Sequence, residues 1–530
     1  MKIGPVRDPW QVQRNRSSTA ELRIDRRGFV GSTLAATAFA AVGSSRLWAD
    51  AASAAAIPQQ TAAVSGSGKA LTLGAADLKD LRAALHGKLL LAQDAGYDAA
   101  RRLWNPHFDR RPALIVRCAD ASDVVRAVNF ARARDLRTAV RAGGHSLSGQ
   151  SACDGGLMID VSPMKAISID AKSRLAQAQG GVLLGELDRR MQAVGLATTL
   201  GTVTDTGIAG LTLGGGVGRL VRKHGLACDN LRSVELVTAD GRLRRVSPKD
   251  DPDLFWGVRG GGGNFGVATA FEYQLHPLQH KVVTGERFYP YSQARSVIAA
   301  LVEFAATAPD DVMMGASLIN SSHGEHAGRF VSWSVDYVGD PNQFEKVIAP
   351  LRGLGKPLLD TLATVSYLEA QGAEGAANAG VPREVTLYVK SGFLRSVPAT
   401  TVDELVRRFE ALPPTLDISA GMSQLGGAIS RVAPGDTAYW NRLASFDLLL
   451  DGSWAGRDQD ERNIKLIRDL WAGLEQYTQG YYVNTIPDAD DQRLRVTYGD
   501  NYPRLVQLKN QYDPGNLFRL NANIKPTAAV

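Results

Sequence analysis

The chain has 530 residues, 44% of them hydrophobic and 22% charged, with a formal net charge of +6. That length exceeds what one hydrophobic core sustains, so two or more domains are expected. The charge does not mark a nucleic-acid binder: the first 51 residues hold eight Lys or Arg against four Asp or Glu, and the +2 that remains is scattered with no dense basic block.

The N-terminus reads as an address. Arg26–Arg27 precede Gly28–Phe29 and a mildly apolar run to about Val42, with "ADA" at 49–51 as a small-residue cleavage site. The run is too short for a stable membrane anchor. The paired arginines resemble a twin-arginine signal, a route for proteins exported already folded, so a periplasmic or extracellular location is expected. Residues 52–77, rich in Ala, Ser and Gly at first, read as a linker. A helix is expected over 78–92. Then "ALIVRC" reads as a strand and "ASDVVRAVNFARARD" as a helix capped by Ser122 or Asp123, with Val124, Val125, Val128, Phe130 and Ala131 at helical spacing. "RTAVRAGG" returns to strand, completing a β-α-β unit that runs straight into a glycine loop.

Further strands are expected at "GLMIDV", "AISID" and "LAQAQGGV", and a helix in "LLGELDRRMQAVGL" that stops at Gly195. "NLRSVELVTADGRLRRVS" predicts a hairpin turning at Asp240–Gly241. From about residue 283 strand-like runs ("RFVSWSVDYVG", "REVTLYVKSGF") alternate with helical ones ("ARSVIAALVEFAATA", "TVDELVRRFEAL"), which predicts a second α+β domain whose antiparallel sheet is covered by helices on one face. The end reads as a helix, a stop at Asp513–Pro514–Gly515 and an asparagine-rich tail. The three cysteines, Cys118, Cys153 and Cys228, form no CxxC or Cys/His cluster, so no metal is expected; one disulfide is open to an exported chain.

Glycine carries the strongest signal. "GGGNFG" at 261–266 matches the dinucleotide spacing G-x-G-x-x-G, but a β-rich run follows it where the fingerprint needs a helix, so a Rossmann domain is rejected. Alone, each glycine run is a tight turn. Three runs, "RAGGHSLSGQS", "LGGGVG" and "RGGGGNFG", within roughly 120 residues instead suggest backbone wrapped around one phosphate-bearing ligand. His145 sits between Gly144 and Ser146. A core role fits poorly between glycines and a metal role lacks partners, which leaves a general base or a covalent tether to a cofactor.

Four segments in order resemble FAD-linked oxidases of the vanillyl-alcohol-oxidase fold, berberine bridge enzyme-like branch: "RAGGHSLSGQS", "GTVTDTGIAGLTLGGGVGRLVRKHGLACDNL", "DPDLFWGVRGGGGNFGVATAFEYQL" and "YDPGNLFRLNANI". The resemblance runs from about Arg111 to Pro526. It implies a two-subdomain PCMH-type FAD-binding domain (78–278), a substrate domain (279–480) and a C-terminal segment (481–530) that returns to the first. It implies FAD, bonded through its 8α-methyl carbon to His145. Around the cofactor it places Arg141, Ala142, Gly143, Gly144 and Ser146, then Thr206, Gly207, Gly214 and Gly215. It adds Gly263, Asn264, Gly266 and Val267, with Asn521 and Asn523 from the tail. Some members add a cysteine link two residues after the glycine that opens the second loop. Here that glycine is Gly201 and Val203 holds the place, so one link is implied; Cys153 and Cys228 do not match the position.

The resemblance extends to "YLEAQ" (367–371), "LYVKSGF" (387–393) and "QLGGAISRVAPGDTAY" (424–439) as substrate-domain strands, with Lys390 and Gln424 at positions that can face the flavin. The family's Tyr-x-Asn-Tyr becomes "YYVNT" here: Tyr482 and Asn484 match, and Thr485 replaces the second tyrosine. Tyr482 is then the candidate base, equally readable as a packed strand residue. A tyrosine works as a base only if its pKa falls, a task for a cation such as Lys390. The implied activity is hydride transfer from an alcohol, sugar or secondary metabolite to the flavin, with O2 or another acceptor taking the electrons. Two alternatives remain: a dehydrogenase passing electrons to a quinone or protein, told apart by slow reoxidation in air, and a flavin-binding protein without catalysis, for which Thr485 speaks.

Overall fold

The computed structural model describes residues 56–322, 327–372, 385–485 and 490–527. The arginine pair and the cleavage site read as an export signal lie outside the described residues.

Two larger sheets, with two small two-stranded ones beside them, build the described N-terminal half. In the first, the strands run in the order Lys88–Leu90, Leu114–Arg117, Leu157–Asp160, Thr138–Arg141, and the last three are mutually parallel. The helix Ala121–Ala133 makes the crossover. Its N-cap is Asp120, two residues before Ser122, the nearer of the two expected caps: the carboxylate accepts from the amides of Ser122 and Asp123. All three parallel strands are short apolar runs, as a sheet covered on both faces requires. Thr138–Arg141 ends in the Gly143–Gly144 loop, so that loop leaves from the carboxyl end of a parallel strand, where α/β sheets bind ligands.

The second sheet is antiparallel, in the order Leu243–Val246, Leu231–Thr238, Gly266–Gln274, Leu175–Gln179, Ile167–Asp170. Its first hairpin turns at Asp240–Gly241, where Gly241 has φ +77°. The 261–266 run follows the helix Pro252–Val258 and feeds the strand Gly266–Gln274, the reverse of a dinucleotide fingerprint.

The large antiparallel sheet runs Leu359–Asp360, Val282–Pro290, Gly328–Tyr337, Val312–Ser321, Asp417–Gln424, Phe446–Ala455, Val385–Leu394, with Ala363–Val365 also paired to Val282–Pro290. Helices Ala294–Ala305, Ala399–Glu410 and Asp460–Ala472 bury Val297, Leu301, Leu405, Phe409 and Ile467 against one face. The other face looks toward the N-terminal half. Asn105 joins the two: its Nδ2 donates to Leu387 O at 2.7 Å and its Oδ1 accepts from Leu387 N.

Three expectations change. Residues 60–74 are not linker: Gln60–Val64 and Ala70–Gly74 pair antiparallel, with Ala63 and Leu73 buried, because even a small-residue run alternates once it has a core to face. The expected helix over 78–92 is Ala75–Ala84, followed by the strand Lys88–Leu90. "YLEAQ" is the helix Tyr367–Ala370, started by a Ser366–Glu369 capping box, and the 424–439 stretch leaves its strand at Gln424 for a 3-10 turn and loop.

The C-terminal segment returns as expected. Helix Tyr502–Tyr512 lies against Pro252–Val258, and its Lys509 is fully buried. The Lys509 ammonium donates to Asn264 O, Phe518 O and Asp513 Oδ2 at 2.7–2.9 Å, and Asp513 accepts from the amides of Leu517 and Phe518.

Candidate active site

A cavity of about 380 Å³ lies between the two halves. Five separate stretches line it: the first glycine loop, the 201–217 loop, Gly262 to Ala268, residues 482–485 and the tail around Asn521. His145 is on its wall. Its ring packs on Trp104, centroids 4.1 Å apart, and its Nε2 lies 3.1 Å from Asp205 Oδ1. Trp104 is held in turn by its own amide, which donates to Gly144 O at 2.9 Å. The first and second loops touch backbone to backbone: a Cβ on Gly207 would sit 2.6 Å from Gly143 N, and one on Gly143 would strike the Gly207 backbone.

Of the residues expected around a cofactor, Ala142, Gly143, Gly144, His145 and Ser146 line the cavity, as do Thr206, Gly207, Gly263, Gly266 and Asn521. The rest stand behind this lining. Arg141 bonds Asp160 at 3.2 Å, Gly214 backs onto Asn484, and Gly215 packs on Tyr439. Val267 is in the core. Asn264 clamps the tail: it donates to Ala522 O and accepts from Ile524 N. Asn523 Oδ1 is buried with no hydrogen-bond partner among the described residues. Val203 lines the cavity, whereas Cys153 and Cys228 are buried free thiols in other cores.

The catalytic candidates divide. Tyr482 lines the cavity, and its hydroxyl accepts from Asn484 Nδ2 at 2.9 Å and from Val217 N at 3.3 Å. Burial pushes it up to about 12, the opposite of what a tyrosine base needs. Lys390 and Gln424 do not reach the cavity. On Val385–Leu394 the residues Leu387, Val389 and Ser391 face it, so Lys390, one position off, faces the helices beside Tyr388, its Nζ 5.8 Å from that ring. Gln424 ties its strand to a helix: Oε1 accepts from Met314 N and Nε2 donates to Ala305 O. Thr485 hydrogen-bonds Ser391 Oγ across the cavity-side face.

Against known proteins, residues 112–247 match the model described as "FAD binding domain", and residues 477–525 the one described as "Berberine and berberine like". The (R)-6-hydroxynicotine oxidase of Paenarthrobacter nicotinovorans is 33% identical over 83% of this chain and 97% of its own. This chain belongs to the FAD-linked oxidoreductases of the berberine bridge enzyme-like family. The crystal structure of 6-hydroxy-D-nicotine oxidase from Arthrobacter nicotinovorans superposes with a TM-score of 0.75 at 30% identity, covering 83% of this chain and 98% of that one. A chitooligosaccharide oxidase does so at 0.77 and 25% identity, covering 86% and 100%.

The cavity of this FAD-linked oxidoreductase fits its cofactor. Its volume falls within the range of about 300–1,000 Å³ usual for such sites. Among the described residues, the amides of Gly143, Gly144, His145 and Ser146 donate to no backbone carbonyl, so a run of free N–H groups is presented to a phosphate. Asn521 spends its Nδ2 on Gly263 O and Phe518 O and leaves a buried Oδ1 open to a donor. Gly143→Ala is expected to push the two loops apart at a cost of about 1–3 kcal/mol. The measurement is the flavin-to-protein absorbance ratio together with Tm, and both should fall.

Sequence reasoning missed Trp104 and Asp205. Asp205 lies inside a segment already singled out, but no spacing rule links it to a histidine 60 residues earlier.

Proposed function

We infer that this FAD-linked oxidoreductase is exported, carries its flavin on one covalent bond through His145, and oxidises an alcohol- or sugar-type small molecule with O2 as acceptor. The observation that carries the reading is the setting of His145 on the cavity wall. The Asp205 carboxylate favours the tautomer with its proton on Nε2, which leaves the Nδ1 lone pair free to bond carbon. Trp104 fixes the ring plane. Val203 at the second position supports a single link.

Bound FAD supplies the two-electron hydride acceptor. The chain supplies everything else. Free amides of the first loop would hold the diphosphate, Asn521 and the tail close one end, and Tyr482, whose oxygen accepts from Asn484 Nδ2, presents its hydroxyl donor to the substrate side. Relatives acting on hydroxynicotine and on chitooligosaccharides support a small polar substrate. A covalent bond suits the export expected from Arg26–Arg27, since lost FAD is not replaced outside the cytoplasm.

Anaerobic addition of cellobiose, chitobiose, benzyl alcohol or 6-hydroxynicotine to the purified yellow protein tests the reading. Bleaching of the flavin by at least one compound, with colour and hydrogen peroxide returning in air, is expected. No bleaching by any of them contradicts it. Bleaching followed by very slow return in air assigns the electrons to another acceptor.

A further inference from the structure

The helix Tyr367–Ala370 lies between helix Leu184–Gln192 of the FAD-binding half and strand Val282–Pro290 of the large sheet. Gln371 ends it and is 3% exposed. Its amide is spent in both directions. Nε2 donates to Asp188 Oδ2 and to Gly201 O, each at 3.0 Å, and Oε1 accepts from Arg219 Nε at 2.9 Å. The orientation is forced: a guanidinium only donates and a carbonyl only accepts, so the amide fits one way round. Arg219 Nη1 goes on to Asp336, and to Thr284 Oγ1 at 3.4 Å. Those two residues sit opposite each other on neighbouring strands of the large sheet.

Gly201 and Arg219 bracket the second glycine loop, and Gly201, Thr202, Val203, Thr206 and Val217 within it line the cavity. One side chain thus ties both ends of that loop to the helix Leu184–Gln192 and, through Arg219, to the large sheet. We propose that Gln371 is a positioning residue: it sets the loop that lines the flavin cavity, and the protonation of Asp188 behind it changes that setting.

Asp188 is fully buried, and its Oδ1 has no hydrogen-bond partner among the described residues. Burial pushes its carboxyl up to about 7, while the Gln371 bond and the Arg219 and Arg189 charges pull it down. Arg219 faces it from the loop and Arg189 from its own helix. Tyr367, from the facing helix, stays protonated: burial raises it well above the ordinary tyrosine value, and the Asp188 charge adds to that. The other acids nearby are spent elsewhere. Asp336 pairs with Arg219, and Glu186 on the same helix bonds Lys165 and the Leu183 amide. Asp170, on the strand packed beside that helix, accepts from the amides of Lys172 and Ser173, and Asp205 of the loop lies beside His145.

Below about 7 Asp188 is neutral, and Gln371 Nε2 meets an uncharged oxygen. Above it the bond is charge-assisted, and Arg219 faces a second anion besides Asp336. Both changes pull on the amide that holds the Gly201 carbonyl. The loop therefore carries a pH step that originates outside the cavity.

This rests on flavin occupying the cavity, as the function proposed above requires, and the bound flavin is the reporter. Its visible circular dichroism is followed as pH crosses about 7 in wild type, Asp188→Asn, Gln371→Met and the double variant. The difference between wild type and Asp188→Asn should be one step centred near that value. In the Gln371→Met background the same Asp188→Asn change should leave no step, because the charge no longer reaches the loop. Gln371→Met should also slow anaerobic bleaching about 10-fold, with whichever of the four compounds above reduces wild type. If Gln371→Met does not fold, Gln371→Asn, one methylene too short to span Asp188 and Gly201, takes its place.

Thermal unfolding reads Asp188 itself. A carboxyl raised on folding contributes its stability in full below the ordinary carboxylate range and loses it as pH rises to about 7. Asp188→Asn should therefore gain in Tm on wild type across that window. A purely structural Asp188–Gln371 bond gives this Tm change without the flavin step. No step in the difference, or a step of equal size with and without Gln371, overturns the proposal. If the step behaves as stated but no compound bleaches wild type, the positioning role stands and the proposed function fails. If bleaching proceeds and the step is absent, the reverse holds.

Discussion

Acid precipitation of His145→Ala is expected to leave its flavin in the supernatant, whereas wild-type flavin stays with the pellet. The effect is close to all-or-none because, among the described residues, no cysteine lines the cavity. Val203 stands at the position of the second link, and the thiols of Cys153 and Cys228 are buried in other cores, where burial pushes both up and keeps them protonated. The variant should still bind FAD without the bond, since the free amides of the first loop and the Asn521 acceptor are untouched. Gel filtration followed by a flavin spectrum checks this. Retained but extractable flavin separates loss of the tether from loss of the site. Asp205→Ala should form the bond more slowly without abolishing it, because Asp205 acts through His145.

Lys509→Met is expected to destabilise the protein by about 3–5 kcal/mol, the cost of stranding a buried partner charge. Lys509 and Asp513 are both fully buried, and the ammonium reaches three acceptors at once: a carbonyl at Asn264, one at Phe518, and the Asp513 carboxylate. Burial lowers the lysine pKa and Asp513 opposes that shift. The pair is a geometric lock more than a source of net energy. It seats the Phe518–Asn523 tail, which places Asn521 at the cavity. Thermal unfolding should show the lost stability, and flavin fluorescence on heating should show the tail loosening before global unfolding. A variant with unchanged Tm contradicts the lock.

Much of this was legible in the sequence. The β-α-β unit ending on a glycine loop could be read because strand, capped helix and strand each carried its own pattern, and the loop could carry none. His145 stood out because glycines on one side and small polar residues on the other pack no core. The catalytic face was not legible. In Val385–Leu394 nine of ten residues are buried, so no polar alternation says which of Lys390 and Ser391 faces the cavity. A one-residue change of parity moves a side chain through the sheet. The 60–74 hairpin escaped because Ala, Ser and Gly give a linker composition whether or not a core lies beneath.

The most direct test of the account is the mass of the peptide that contains His145, taken from acid-precipitated, protease-digested wild-type protein. This peptide is expected to carry a flavin adduct bonded to the imidazole, with little flavin left in the supernatant. An unmodified His145 peptide, with all the flavin in solution, would contradict it.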